Sequence, residues 1–203
     1  YYETYNRDNV ALIDVKREPI KSIGPNSVFV GDSCFEIDDL VFATGFDAMT
    51  GAAREINIVG EGEIRLTESW STGPQTYLGL MVAGFPNMYL ITGPQSPGVK
   101  SQMILSIEYH VDIIAKMIDK IRNEGLMSVS ADSEAQDAWV EHNNEVANNT
   151  LYPAAASWYM GSNISGKAHI FMPYVGGVKK YRAICGEVMA ENWRGFNFSA
   201  NER

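Results

Sequence analysis

The sequence predicts an α/β fold, built from a mixed sheet with flanking helices, on three observations. An unbroken apolar run, Leu40-Val41-Phe42-Ala43, ends at Thr44-Gly45-Phe46-Asp47, the pattern of a buried strand leaving a sheet toward a ligand. Short strand-like runs alternate with helical patterns along the chain. A strong helical period over residues 102–123 directly follows a second apolar run, as in a strand–loop–helix crossover.

Taken in order, Val10–Val15 predicts a short strand. Ser27–Val30 and Cys34–Ile37 predict a hairpin across Gly31-Asp32. Leu40–Ala43 is the buried strand, and Gly45 lets backbone approach a ligand closely. Ile56–Val59 and Ile64–Leu66 are expected to pair across Gly60-Glu61-Gly62. Met88–Thr92 is the second apolar run, and Gly93-Pro94-Gln95-Ser96-Pro97-Gly98 after it makes a rigid, non-helical loop. The helix from about Gln102 to Asn123 carries Met103, Ile107, Val111, Ile114, Ile118 and Ile121 at helical spacing, with Ser101 as N-cap and Gly125 at its end. A second helix is expected over 133–150, a structured aromatic loop over 151–166, a strand over 169–174 and a closing helix over 177–192. The chain starts in the middle of this pattern rather than with its own βαβ unit, as the later part of a longer protein would.

Composition narrows function mainly by exclusion. A net charge of −9 and a pI near 4.8 oppose nucleic-acid binding, which needs clustered Lys and Arg. No apolar stretch reaches the length of a membrane span. Cys34 and Cys185 form no C-x-x-C and are expected as two unpaired thiols of a reducing compartment, which with the absence of a signal or transit peptide makes a cytoplasmic location the expectation. His110, His142 and His169 lack metal-ligand spacing, so no metal is expected and these residues are expected on the surface or as polar core. No G-x-S-x-G elbow, Walker loop or G-x-G-x-x-G fingerprint is present.

Two segments have chemical potential. The N-terminus of the helix at Ser101-Gln102-Met103 presents free N–H groups and about half a positive charge, fit to hold an anionic group or an electron-rich ring. A tight crossover without ligand explains that segment equally well. In Leu151–Gly161, Trp158 lies near Gly161 and Gly166, where its indole N–H can meet a polar ligand; a Trp that plugs the loop onto the core is the alternative.

An ordered series of motifs resembles the C-terminal part of the flavin-dependent Baeyer–Villiger monooxygenases of the phenylacetone and cyclohexanone monooxygenase group, over essentially the whole chain. The series runs from Tyr1–Val10 through Ala43-Thr44-Gly45-Phe46-Asp47-Ala48, Gly73-Pro74-Gln75-Thr76-Tyr77-Leu78-Gly79, Gly84-Phe85-Pro86-Asn87 and Gly93-Pro94-Gln95-Ser96-Pro97. It ends with Ser157-Trp158-Tyr159-Met160-Gly161-Ser162-Asn163 and Gly166-Lys167. The resemblance implies a flavoprotein of two dinucleotide-binding, Rossmann-like domains, with residues 1–42 the last part of the NADP-binding domain and its exit, and 43–203 the C-terminal half of the FAD-binding domain. It implies FAD and NADP(H) as cofactors, a ketone and O2 as substrates, and oxygen insertion beside the carbonyl through a C4a-peroxyflavin to give an ester or lactone. Met103 and Gln102 then face the flavin, Trp158 binds the NADP ribose, Thr44 and Gly45 belong to the nucleotide-domain signature, and Val99 and Lys100 line the substrate pocket. The family's catalytic arginine and FAD fingerprint fall upstream of Tyr1, so the resemblance assigns this chain no catalytic residue. It implies that the piece alone is inactive without the N-terminal part of the same enzyme. An N-hydroxylating or sulfoxidising flavin monooxygenase and a non-catalytic half-fold are the alternatives.

Overall fold

The computed structural model describes residues 1–98, 101–155 and 157–200. The chain divides into two units, Tyr1–Thr44 and Gly45–Arg203.

In the first unit three strands form one antiparallel sheet: β1 (Ile20–Gly24), β2 (Ser27–Val30) and β3 (Ser33–Glu36), in the order β1-β2-β3. Gly31 turns the expected hairpin at φ 56°, with Val30 facing Ser33, so β3 starts one residue before expectation. The expected strand at Val10–Val15 does not form. Asp14 captures that stretch in a turn, its side chain accepting the Lys16 N–H at 3.0 Å and its carbonyl the Arg17 and Glu18 N–H groups. The Leu40–Ala43 run also differs from expectation: it is outside any strand and exposed, Val41 at 83% and Phe42 at 70%. A strand persists only where a neighbour completes its ladder, and no described strand lies beside this one.

The second unit holds α1 (Gly51–Glu55), α2 (Leu66–Ser69), α3 (Met103–Glu124), β4 (Ser128–Ala131), α4 (Ser133–Asn148), α5 (Val178–Ala190) and β5 (Phe196–Ser199). The expected pairing of 56–59 with 64–66 shrinks to a bridge between Val59 and Arg65, because α2 begins at Leu66. Met88–Thr92 is not a strand: Asn87 and Thr92 have positive φ, and Leu90 N–H bonds Leu80 O at 2.7 Å in a turn-rich stretch. Residues 169–174 also fail to make a strand, because their backbone serves two different partners. Met172 N–H bonds Tyr159 O, whereas Tyr174 N–H bonds Ser96 O, and the only named pairing there is the parallel bridge Pro97–Tyr174. The named sheets are therefore antiparallel, and among the described residues parallel pairing occurs only as the isolated bridges Ala83–Ala131 and Pro97–Tyr174.

Helix α3 forms where its spacing predicts, but most of the apolar period is not the core face: Ile107, Val111 and Ile118 are exposed. Ser106, His110, Ile113 and Met117 face the core, and Gly125 ends the helix in the left-handed region at φ 65°. Its N-cap is Gln102, not Ser101: the Gln102 side chain accepts the Ile104 and Leu105 N–H groups at 2.9 and 3.3 Å. Helix α4 starts from Asp132, which accepts the Ala135 N–H at 3.0 Å, and stops two residues before expectation. Helix α5 begins one residue later and ends two residues earlier than the expected 177–192. The core joins Leu78, Leu80 and Met81 to Ile113 and Met117 of α3, Trp139 of α4, and Tyr181, Cys185 and Val188 of α5. β4 and β5, absent from the sequence expectations, close it with Val129, Ala131 and Phe196. Among the described residues no helix is long and apolar enough to cross a membrane, and no three His, Cys, Asp or Glu groups gather as a metal site.

Candidate functional site

The rigid loop Gly93–Gly98 is held from every side by buried polar bonds. Gln95, 1% exposed and at φ 61°, donates through Nε2 to Pro74 O at 2.9 Å, and its carbonyl accepts the Trp139 indole N–H at 3.1 Å. Thr76 Oγ1 lies 2.6 Å from Pro94 O and accepts the Gly79 N–H at 3.0 Å. Gly79 and Gly93 make this stacking possible. A Cβ on Gly79 would lie 2.5 Å from the Ser96 Cβ, and one on Gly93 would lie 2.7 Å from Gly79 O. The two Gly-Pro-Gln segments, 73–75 and 93–95, thus pack as one polar-stitched layer.

His110 ties this layer to α3. Its Nδ1 accepts the Thr92 N–H at 2.9 Å, so the neutral ring keeps its proton on Nε2, which donates to the Tyr181 hydroxyl at 2.8 Å; that hydroxyl donates to Leu78 O at 2.5 Å. His110 is 0% exposed, and burial lowers its pKa from 6.5 to about 4. The unfolded chain therefore binds a proton in a range where the folded one refuses it. This contribution to stability is complete above pH 6.5 and is lost as the pH falls toward 4, about 3 kcal/mol in all. The neighbouring groups Tyr109, Tyr181 and Cys185 are all shifted upward and do not titrate in that window. Chemical denaturation at pH 7 and pH 4 should show a loss of stability that is smaller in His110→Asn by about that amount.

At the N-terminus of α3 the cap determines what remains to bind a ligand. Gln102 consumes the Ile104 and Leu105 N–H groups, while the Met103 N–H has no acceptor among the described residues. One helix-end donor with the positive end of the helix dipole behind it is left at Met103. Gln102 itself is exposed and serves as the cap.

The aromatic loop folds as two short 3-10 turns, Tyr152–Ala154 and Trp158–Met160. Trp158 is half-buried, its ring 4.0 Å from that of Tyr159. A pocket of about 440 Å³ joins the two segments singled out by sequence. Gly98 and Ser101 come from the approach to α3, Tyr152 and Tyr159 from the aromatic loop, and Pro173, Tyr174 and Gly177 from the approach to α5. Tyr174, 2% exposed, has a hydroxyl with no partner among the described residues. Sequence reasoning missed this third wall, whose only signal is the Gly176-Gly177 pair before α5. Gln102, Met103 and Trp158 are not themselves among its lining residues. Val99 and Lys100, the expected substrate-pocket residues, lie outside the described residues. Gly45 lies elsewhere, at φ 82°, with the Asn163 amide 3.7 Å from where its Cβ would stand; Thr44 is exposed at the end of the first unit.

No family model matches the chain. Among curated proteins it is 42% identical over 195 residues to a Baeyer–Villiger monooxygenase of Pseudooceanicola batsensis, covering 95% of this chain and 35% of that protein. It is 38% identical to the phenazine N-monooxygenase of Lysobacter antibioticus, covering 97% of this chain and 36% of that protein. Among solved structures, a closed form of cyclohexanone monooxygenase superposes with a TM-score of 0.89 at 38% identity, over 99% of this chain and 38% of that one. A complex of OTEMO with FAD and NADP gives 0.85 at 32%, over 98% and 37%. The fold is thus the α/β architecture of these monooxygenases. Within that class, the chain is a homologue of the C-terminal part of the Baeyer–Villiger monooxygenases, and it spans about a third of their length.

Proposed function

We propose that this chain is part of an FAD- and NADPH-dependent Baeyer–Villiger monooxygenase that inserts one atom of O2 beside a ketone carbonyl to give an ester or lactone. The observation that carries this reading is the joining of the approach to α3, at Gly98 and Ser101, with Tyr159 of the Trp158 turn in one pocket, within a chain that follows such enzymes over nearly its full length. A bound flavin reduced by NADPH would supply the activation of O2. The donor set fits that cofactor: the Met103 N–H and the α3 dipole favour negative charge on the pyrimidine side of a reduced flavin. Gln102 holds the first turn of α3 in place for that contact. Trp158 offers its indole N–H to the NADP ribose, and Gly45, beside Thr44, gives a side-chain-free approach to a nucleotide. Residues 1–42 form the end of the NADP-binding domain with its exit, and 43–203 the C-terminal half of the FAD-binding domain.

The rest of the same enzyme is the natural partner of the chain. In the second unit Ile104, Ile107, Val111 and Ile118 make an exposed stripe on α3, and in the first unit Val41 and Phe42 are exposed; each is apolar surface that a larger assembly would cover. Alone, the chain is inactive, and purified with excess FAD it should show no bound flavin absorbance. The two free cysteines, Cys34 exposed and Cys185 buried, fit a cytoplasmic setting.

The 38% identity to a phenazine N-monooxygenase supports a second reading, oxidation of an aromatic nitrogen. The intact enzyme decides between them when NADPH oxidation and products are followed with a cyclic ketone and with phenazine. Lactone from the ketone supports the proposal; N-oxide from phenazine with the ketone untouched favours the second reading.

A further inference from the structure

The segment that follows the Trp158 turn is attached to the residues after Gly45 by three side-chain bonds. Lys167 Nζ donates to the Asp47 carboxylate and, at 3.2 Å, to Ala48 O, while Asn163 Nδ2 donates to Phe46 O at 2.8 Å. The ion pair is shielded, the Lys167 side chain being 4% exposed and that of Asp47 31%. Both ends are built for it. Gly51 leaves room for Asp47, since a Cβ there would lie 2.9 Å from the Asp47 Cβ. The Lys167 stem runs across Gly161, where a Cβ would lie 3.2 Å from its Cγ and Cδ. Gly161 closes the Trp158–Met160 turn at φ 71°, its N–H bonding Trp158 O at 3.0 Å. Lys167 thus lies against the turn that carries Trp158 and ends on the backbone of Ala48.

From this geometry we propose that Lys167, assisted by Asn163, is a positioning residue that fixes Trp158 relative to the Phe46–Ala48 turn, so that the nucleotide-binding set of Trp158 depends on the Lys167–Asp47 pair. The proposal rests on the reading of Trp158 as an NADP ligand. A shielded carboxylate that loses its one cationic partner among the described residues repels its surroundings or draws in water, and either outcome shifts the segment packed across Gly161 at the end of the Trp158 turn. The effect belongs to NADP binding and not to the capacity of the bound site to turn over.

The test uses the intact enzyme with Lys167→Met, Lys167→Arg, Asn163→Ala and Trp158→Ala, each checked for flavin content and thermal unfolding. Lys167→Met should raise the KM for NADPH about fivefold and the share of NADPH lost to H2O2 severalfold, while kcat at saturation falls less than twofold. Lys167→Arg should return both readouts to within twofold of the parent. Asn163→Ala, at an exposed residue, should move them about twofold in the same direction, and it decides the matter if Lys167→Met does not fold. A lowered melting temperature with KM and H2O2 release unchanged overturns the proposal. If Trp158→Ala shifts them and Lys167→Met and Asn163→Ala do not, the positioning role alone is overturned. If Trp158→Ala leaves both unchanged, the Trp158 reading fails and this proposal with it.

Discussion

Gly79→Ala should destabilise the enzyme by about 3 kcal/mol. Gly79 holds φ 69°, where a Cβ costs ~1–2 kcal/mol, and that Cβ would stand 2.5 Å from the Ser96 Cβ and 2.9 Å from the Ser96 nitrogen, adding ~1–3 kcal/mol of overpacking. The Ser96 backbone cannot yield without disturbing Tyr174, whose N–H bonds Ser96 O at 2.8 Å, and Gln95, buried beside it. The strain therefore reaches the loop that leads into α3. Gly62→Ala supplies the control: at φ 65° with nothing within 4 Å of its Cβ, it carries the backbone cost alone, about 1 kcal/mol. Urea denaturation of both variants separates clash from backbone strain. Equal losses would show that the two Gly-Pro-Gln segments are not stacked as described.

Trp158→Ala should weaken NADP binding about tenfold, equivalent to ~1.4 kcal/mol, the worth of one hydrogen bond and its share of ring contact. Trp158 is half-buried against Tyr159, within a cluster of Tyr152, Met160 and Phe171, so truncation removes packing as well as the indole N–H. Trp158→Phe separates the two: it keeps the ring and should show most of the loss if the N–H is the binding group. Equilibrium titration of NADP gives the affinity, and the H2O2 formed per NADPH reports how well the site stays closed during turnover. An unchanged affinity in Trp158→Ala removes Trp158 from the nucleotide site.

Local pattern made some of this fold legible in the sequence. Helix α3 and its Gly125 terminator appear as read, because helix contacts are short-range and glycine at φ 65° is a local requirement, whereas which face of α3 meets the core depends on packing: Ile107, Val111 and Ile118 of the apolar period are exposed and Ser106, His110, Ile113 and Met117 are buried. The Gly31-Asp32 hairpin follows for the same reason. What escaped is long-range or depends on a neighbour. β4 and β5 pair Ser128–Ala131 with residues about seventy positions away, and neither run announces itself as a strand. The Leu40–Ala43 run has strand composition but no partner strand among the described residues, so composition alone misjudged it. The Gln102 cap was missed because Ser is the commoner capping residue, while the Ser101 N–H is committed to Gly98 O.

The candidate site divides in the same way. The α3 N-terminus and the Trp158 loop were visible as local motifs, whereas the Pro173–Gly177 wall that joins them depends on the packing of α5. His110 was expected on the surface or as a polar core residue, and its buried chain to Tyr181 and Leu78 is a product of tertiary packing that no spacing in the sequence reveals. Asp47 and Lys167 stood inside quoted motifs, yet their pairing across 120 positions emerges only in the fold.

The most direct test of the central claim is the fate of labelled oxygen. The intact enzyme, with FAD and NADPH, is given cyclohexanone under ¹⁸O2 and the product is read by mass spectrometry. The account predicts a lactone carrying one ¹⁸O in its ring. NADPH consumed only to H2O2, or a hydroxylated ketone in place of the lactone, would contradict it.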